Sequence, residues 1–111
     1  MRKLLIAILA AGLLGGMSSQ ASGATRDVRI GDDFFVRDGR TRTVEVAKGD
    51  TVRWNWSGRH PHNVQVRRGP ASFQSRVKTD GSYSRKLRKR GTYRIVCSIH
   101  MPDMRMTLVV D

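Results

Sequence analysis

A chain of 111 residues with 21 Lys and Arg against 9 Asp and Glu carries a formal net charge of +12, and its length allows one small domain. A single cysteine excludes a disulfide scaffold, and no apolar run is long enough to cross a bilayer comfortably, so no membrane span is expected. The basic excess favours acidic partners.

The chain opens on Met1-Arg2-Lys3, an apolar run from Leu4 to Leu14 and the small residues from Gly15 to Ala21, which is the order of a secretory signal peptide. Residues 1–21 are read as that leader, with cleavage after Ala21 or Ala24, and residues 26–111 as one domain exported to the periplasm or out of the cell. Removal of Arg2 and Lys3 leaves the mature chain strongly basic. From Val28 onward apolar residues recur at every second position, the period of a half-buried strand. The runs are Val28 and Ile30; Val44 and Val46; Val52, Trp54 and Trp56; Val64 and Val66; Tyr93, Ile95 and Cys97; and Met104, Met106, Leu108 and Val110. Turn residues separate them at Asp38-Gly39, Lys48-Gly49-Asp50, Ser57-Gly58, Arg68-Gly69-Pro70, Asp80-Gly81 and Arg90-Gly91. No convincing helical period follows the leader, although Ala71 to Lys78 has room for a short turn. Short strands at this spacing predict an all-β fold, an antiparallel sandwich or barrel.

A lone thiol in an oxidising compartment needs a reason. The plain one is a buried cysteine acting as a small hydrophobe. The sharper one is a metal, because Cys97-Ser98-Ile99-His100-Met101-Pro102-Asp103-Met104 sets a thiolate, an imidazole and a thioether at the end of one strand. A thiolate with two imidazoles and a weak axial thioether suits both Cu(I) and Cu(II). The second imidazole is assigned to His62, which shares the inward parity of Val64 and Val66, as Cys97 shares that of Tyr93 and Ile95. Structural zinc normally uses more thiolates than the one present.

Lys48-Gly49-Asp50-Thr51-Val52-Arg53-Trp54, Pro61-His62-Asn63-Val64, Gly91-Thr92-Tyr93 and Cys97-Ser98-Ile99-His100 followed by Met104 together resemble the cupredoxins, the plastocyanin, pseudoazurin and amicyanin group, from about Val28 to Val110. The resemblance implies a single-domain, Greek-key cupredoxin-like β-sandwich holding one copper ion, with His62, Cys97 and His100 equatorial and Met104 axial. It also implies that Asn63 and Ser98 tie the two ligand loops together by hydrogen bonds, and that His100 is the exposed ligand through which electrons leave, with Met101, Pro102 and Ala71 as its apolar rim. Three residues separate His100 from Met104, and Met106 stands where many relatives have glycine. Met106 is read as strand core and Met101 as pointing away, with a site lacking any axial thioether as the alternative to Met104.

The function expected is therefore electron transfer by a non-enzyme, an exported monomer that cycles Cu(II)/Cu(I) with a redox protein partner bearing an acidic docking surface. Copper delivery, helped by Met101, Met104, Met106 and His60, is the alternative, and a binding module without metal is a third reading. His60 is expected to face solvent and Trp54 and Trp56 to be core. The run Arg85-Lys86-Leu87-Arg88-Lys89-Arg90 lies on the order of 20 Å from the metal at the rise of an extended strand. It is read as a solvated turn, with docking to an acidic surface as a minority option and no nucleic-acid role. Arg59 and Arg105, in the loops nearest the ligands, are the candidates for meeting the acidic partner.

Overall fold

The computed structural model describes residues 23–36 and 42–111. The leader and the Asp38-Gly39 turn lie outside them. Eight strands follow in order: β1 (Thr25–Gly31), β2 (Phe34–Val36), β3 (Thr43–Val46), β4 (Thr51–Trp56), β5 (Gln65–Arg68), β6 (Ser82–Lys86), β7 (Gly91–Val96) and β8 (Arg105–Val110). They form two four-stranded sheets, β2-β1-β4-β6 and β3-β8-β7-β5. The chain changes sheet at every connection from β2 to β7, so the two layers are stitched together repeatedly. Among the described residues no helix is long and apolar enough to cross a membrane.

The expected wholly antiparallel pairing is corrected. β1 runs parallel to β4 and β3 parallel to β8, while the other four pairings are antiparallel. The reason is topological. A strand that leaves one sheet for the other returns beside an earlier strand rather than beside its immediate predecessor, so its direction is not set by a hairpin.

Alternation places the core as the period-two reading requires. Val28, Ile30, Val52, Trp54, Tyr93, Ile95, Cys97 and Leu108 have no exposed surface, and Met106 and Val110 are nearly as buried. Each large apolar side chain removed from water in this way contributes about 1.5–3 kcal/mol. The indole of Trp54 clusters with Phe73 and Tyr83, at centroid separations of 6.0 and 5.9 Å. Its Nε1 donates to the Met106 sulfur at 3.4 Å, so the thioether gives a buried N–H an acceptor that glycine would not. Segment 71–78 is extended rather than turned. It bridges back to the fifth strand's segment at His62 with Lys78 and at Gln65 with Gln74.

At the far end of β7, the basic run is an anchored corner. Leu87 is buried, its N–H donates to Asp50 O and its carbonyl accepts from Gly49 N. The Tyr93 hydroxyl donates to Lys89 O at 2.7 Å, and burial pushes that phenol above its ordinary pKa. Arg85 lies over the Phe73 ring at 5.2 Å. Leu87→Ala is therefore expected to cost about 2–4 kcal/mol in urea unfolding. Arg88→Ala and Lys89→Ala, made on exposed side chains, are expected to stay within about 0.5 kcal/mol of the parent.

Candidate metal centre

Strand register brings the donors together. In the β5–β7 pairing Gln65 lies opposite Val96, so the segment before Gln65 reaches the residues just after Val96. In the β7–β8 pairing Val96 lies opposite Arg105, which places Met104 opposite Cys97, and the Cys97 N–H donates to Met104 O at 3.1 Å. Cys97 follows the inward parity of Tyr93 and Ile95, and Met104 that of Met106 and Leu108. Directly opposed residues on one face have Cβ atoms about 4.5–5.5 Å apart. Met104 is thus a buried neighbour of the thiol, 1% exposed.

Cys97 Sγ lies 3.8 Å from His62 Nδ1 and 3.4 Å from His100 Nδ1, and the three donor atoms all fall within 4.8 Å of one another. Metal–nitrogen and metal–sulfur bonds of about 2.0 and 2.3 Å, spread in a trigonal plane, separate sulfur from nitrogen by about 3.7 Å. The donor set fits one metal ion. Cys97 and His62 are buried, whereas the His100 side chain keeps 30% of its surface exposed.

The backbone around each donor is fixed from behind. His62 N donates to Lys78 O, and its carbonyl accepts from both Lys78 N at 3.0 Å and Trp56 Nε1 at 3.1 Å. Val64 N donates to the Ser75 hydroxyl at 2.9 Å. Asn63 Oδ1 accepts from Ser98 N at 2.8 Å and from the Ser98 hydroxyl at 3.2 Å, which ties the two donor segments together. In the loop from Cys97 to Met104, His100 N donates to Cys97 O and Met104 N to His100 O.

Two neighbours of the site had no counterpart in the sequence reading, Asp32 and Asp33 in the β1–β2 turn. Asp33 has φ 71°, a left-handed conformation that aspartate tolerates better than most side chains. Its carboxylate sits 3.3 Å from His100 Nε2 and 3.3 Å from His60 Nδ1. Asp32 Oδ1 accepts from the backbone N–H groups of Arg59 and His60, which hold that carboxyl below its usual pKa. A Cβ at position 58 would collide with the Asp32 carboxylate, so Gly58 is what admits it. The available signal was the dipeptide after Gly31, two acids at a turn in a chain short of acids.

Other expectations meet mixed outcomes. His60 is exposed as expected, but it is paired with the acidic turn. Ala71 is not at the rim of His100. It lines a pocket with Leu87 and Lys89 at the opposite end of β7, because Pro70 packs on Gly91 rather than on the donor loop. Among the described residues the exposed large apolar side chains are Val77, Ile99 and Met101, each within one residue of His100 or of Lys78, the backbone partner of His62. Of these, Ile99 and Met101 are the sequence neighbours of His100. Arg105 opens β8 beside Pro102, whose carbonyl it binds at 3.3 Å, whereas Arg59 stands over the acidic turn.

A two-sheet sandwich of this topology, with one thiolate and two imidazoles at one end, defines a small mononuclear copper protein. The profile of the copper binding proteins of the plastocyanin/azurin family matches residues 39–111, and the chain belongs to that family. It is similar to amicyanin-alpha of Methylorubrum extorquens, 31% identical over 95% of this chain and 87% of that protein. It is also similar to plastocyanin of Prochlorothrix hollandica, 30% identical over 86% of this chain and 79% of that one. The solved structure of an oxidised amicyanin variant superposes with a TM-score of 0.62 at 28% identity, covering 81% of this chain and 90% of the other. The chain is a cupredoxin that carries one copper ion, a type 1 electron-transfer protein.

Burial, and after it the neighbouring His100, pushes the His62 imidazole below its ordinary pKa; His60 adds to this, and Asp33 and Asp32 oppose it. In the unfolded chain this group takes up a proton near about pH 6.5, while in the fold it stays neutral to lower pH. The part of the metal-free protein's stability that His62 governs should therefore be fully present above about pH 7 and be lost as pH falls through 6.5 toward the folded pKa. Urea midpoints of the apoprotein between about pH 8 and about pH 5 will show this drop, and the drop will be smaller in His62→Gln.

Proposed function

We propose that His62, Cys97 and His100, with the Met104 thioether beside them, would hold the copper ion, and that Asn63 and Ser98 hold the two loops in place. The observation that carries this reading is the set of Sγ to Nδ1 separations, 3.8 and 3.4 Å, in a pocket that buries the thiol and one imidazole. When bound, copper supplies a one-electron Cu(II)/Cu(I) couple. The chain's own residues do the rest. Cys97 and His62 are shielded from water by the sandwich, and the backbone bonds behind them limit how far the donors can move between oxidation states. His100 alone reaches solvent, and Ile99 and Met101 beside it offer a dry contact for electron entry and exit. Such a closed site suits electron transfer better than copper delivery, which needs exposed, labile ligands.

The chain transforms no substrate by itself in this reading. It works as an exported monomer, in the periplasm or outside the cell, with a redox protein whose docking surface is acidic. Export is supported by the leader-like residues 1–21. Retention of Ala24 after cleavage is supported by two contacts, since Ala24 N donates to Asp50 Oδ1 at 3.1 Å and Ala24 O accepts from Thr51 N at 2.8 Å. Cleavage after Ala21 keeps both.

One equivalent of Cu(II) added to residues 22–111 should produce an intense visible thiolate-to-copper charge-transfer band that ascorbate bleaches. Cys97→Ser should abolish the band altogether, and Met104→Leu should retain it with a higher reduction potential, because loss of a thioether donor weakens Cu(II) more than Cu(I). Weak absorption by the wild type, or equal copper binding by Cys97→Ser, would overturn the carrier reading.

A further inference from the structure

The outer face of the β3-β8-β7-β5 sheet carries a groove of about 510 Å³ that runs up to the copper end. Arg42, Arg67, Arg68, Arg94 and Arg105 line it, and Met101 closes the end nearest His100. All five arginines are exposed, and among the described residues no carboxylate pairs with any of them. Their hydrogen bonds go to neutral atoms instead: Arg67 to the Met101 sulfur, Arg94 to the Thr107 hydroxyl, Arg105 to Pro102 O.

Protection of an exposed strand edge accounts for part of this charge, since β5 is an edge strand and basic residues there discourage unwanted pairing. It does not account for Arg94 and Arg105, which belong to the inner strands β7 and β8. Nor does it account for register. Arg68 stands directly opposite Arg94, and like charges at opposed positions destabilise a sheet. An anion seated between them would relieve that repulsion.

The other flank of His100 is of opposite sign. Asp32 and Asp33 occupy the β1–β2 turn on the second sheet, with the Asp33 carboxylate 3.3 Å from His100 Nε2. An acidic surface approaching His100 from that side meets like charge. Approaching over Met101, it meets guanidinium groups that no carboxylate among the described residues pairs, each able to take a carboxylate with two parallel hydrogen bonds. Val96 and Met101, which also line the groove, are sequence neighbours of Cys97 and His100.

Resting on the electron-carrier reading, we propose that the redox partner docks through an acidic, Glu- or Asp-rich segment laid in this arginine groove, with Met101 as its contact nearest the metal. A concave, five-arginine slot that ends at Met101 favours a protein segment over a flat lipid surface. Docking is thus offset from His100 toward β7 and β8, and Arg59 has no part in it.

The test uses isotope-labelled, Cu(I)-loaded protein titrated with a Glu/Asp decapeptide and, separately, with phosphatidylglycerol vesicles. The wild type is compared with Arg67→Glu/Arg94→Glu and with Arg88→Glu/Lys89→Glu, which makes the same charge change at the far end. The peptide is expected to shift the amides of the groove strands and Met101. Its affinity should fall about tenfold or more in the groove variant and less than about twofold in the control, with the effect screened by salt. The milder Arg67→Gln/Arg94→Gln should lie between. Shifts confined to the 85–90 corner, equal losses in both charge-reversed variants, or uptake by vesicles without peptide binding would each overturn the proposal. The visible band of each variant's Cu(II) form is recorded alongside. A band present in all of them leaves the carrier reading standing whatever the peptide does, and a wild type without the band refutes that reading whatever the map shows.

Discussion

The side-chain oxygen of Asn63 is the point on which the donor geometry turns. It accepts two hydrogen bonds from Ser98, 35 residues away, in a place where Asn63 itself is 2% exposed. Register alone brings the start of β5 near the end of β7, but the bulge between Val66 and Arg68 shows that this edge pairing is not regular. The Asn63 clamp takes up that freedom just where His62 and Cys97 must face each other. A buried acceptor also resists rearrangement, since leaving it without donors costs about 1–3 kcal/mol, more than the net worth of a typical bond.

Behind the clamp, the sandwich sets the chemistry by what it excludes. Cys97 and His62 are buried beside Val64, Ile95 and Met104, which keeps solvent from the thiol, and the sequence holds no second cysteine with which it could form a disulfide. The opposite corner does comparable work for the fold. Leu87 is bonded to Asp50 and Gly49 just before β7, and the Tyr93 hydroxyl ties the start of the strand to Lys89 O. β7 is therefore pinned at both ends, and its inward row runs from Tyr93 through Ile95 to the thiol without a break.

Much of this was legible from residue spacing. Parity alone placed His62, Cys97 and Met104 on the inner face, because one shift in register would have exposed Tyr93 and Leu108 with them. Strand β6 left little trace, since Ser82–Lys86 buries only part of Tyr83 on an edge, and β2 is just three residues long. Parallel pairing was hidden because it depends on which strands meet after crossing between sheets, a long-range property that local alternation does not encode. The Asp33 contact escaped for a similar reason. It joins residues 33 and 100 through the meeting of two loops on different sheets, and nothing in either segment announces the other.

The donor frame is held by the polypeptide's own hydrogen bonds. The Ser98 amide reports on it directly, because its hydrogen-bond acceptor is the Asn63 clamp. Hydrogen exchange of that amide should be compared in metal-free and copper-loaded protein. If the frame is built by the fold, the Ser98 amide of the apoprotein exchanges slowly, like the paired amides of β7, and changes little when copper binds. If instead it exchanges as fast as an open loop in the apoprotein and is protected only by copper, the metal organises the site, and the account is wrong.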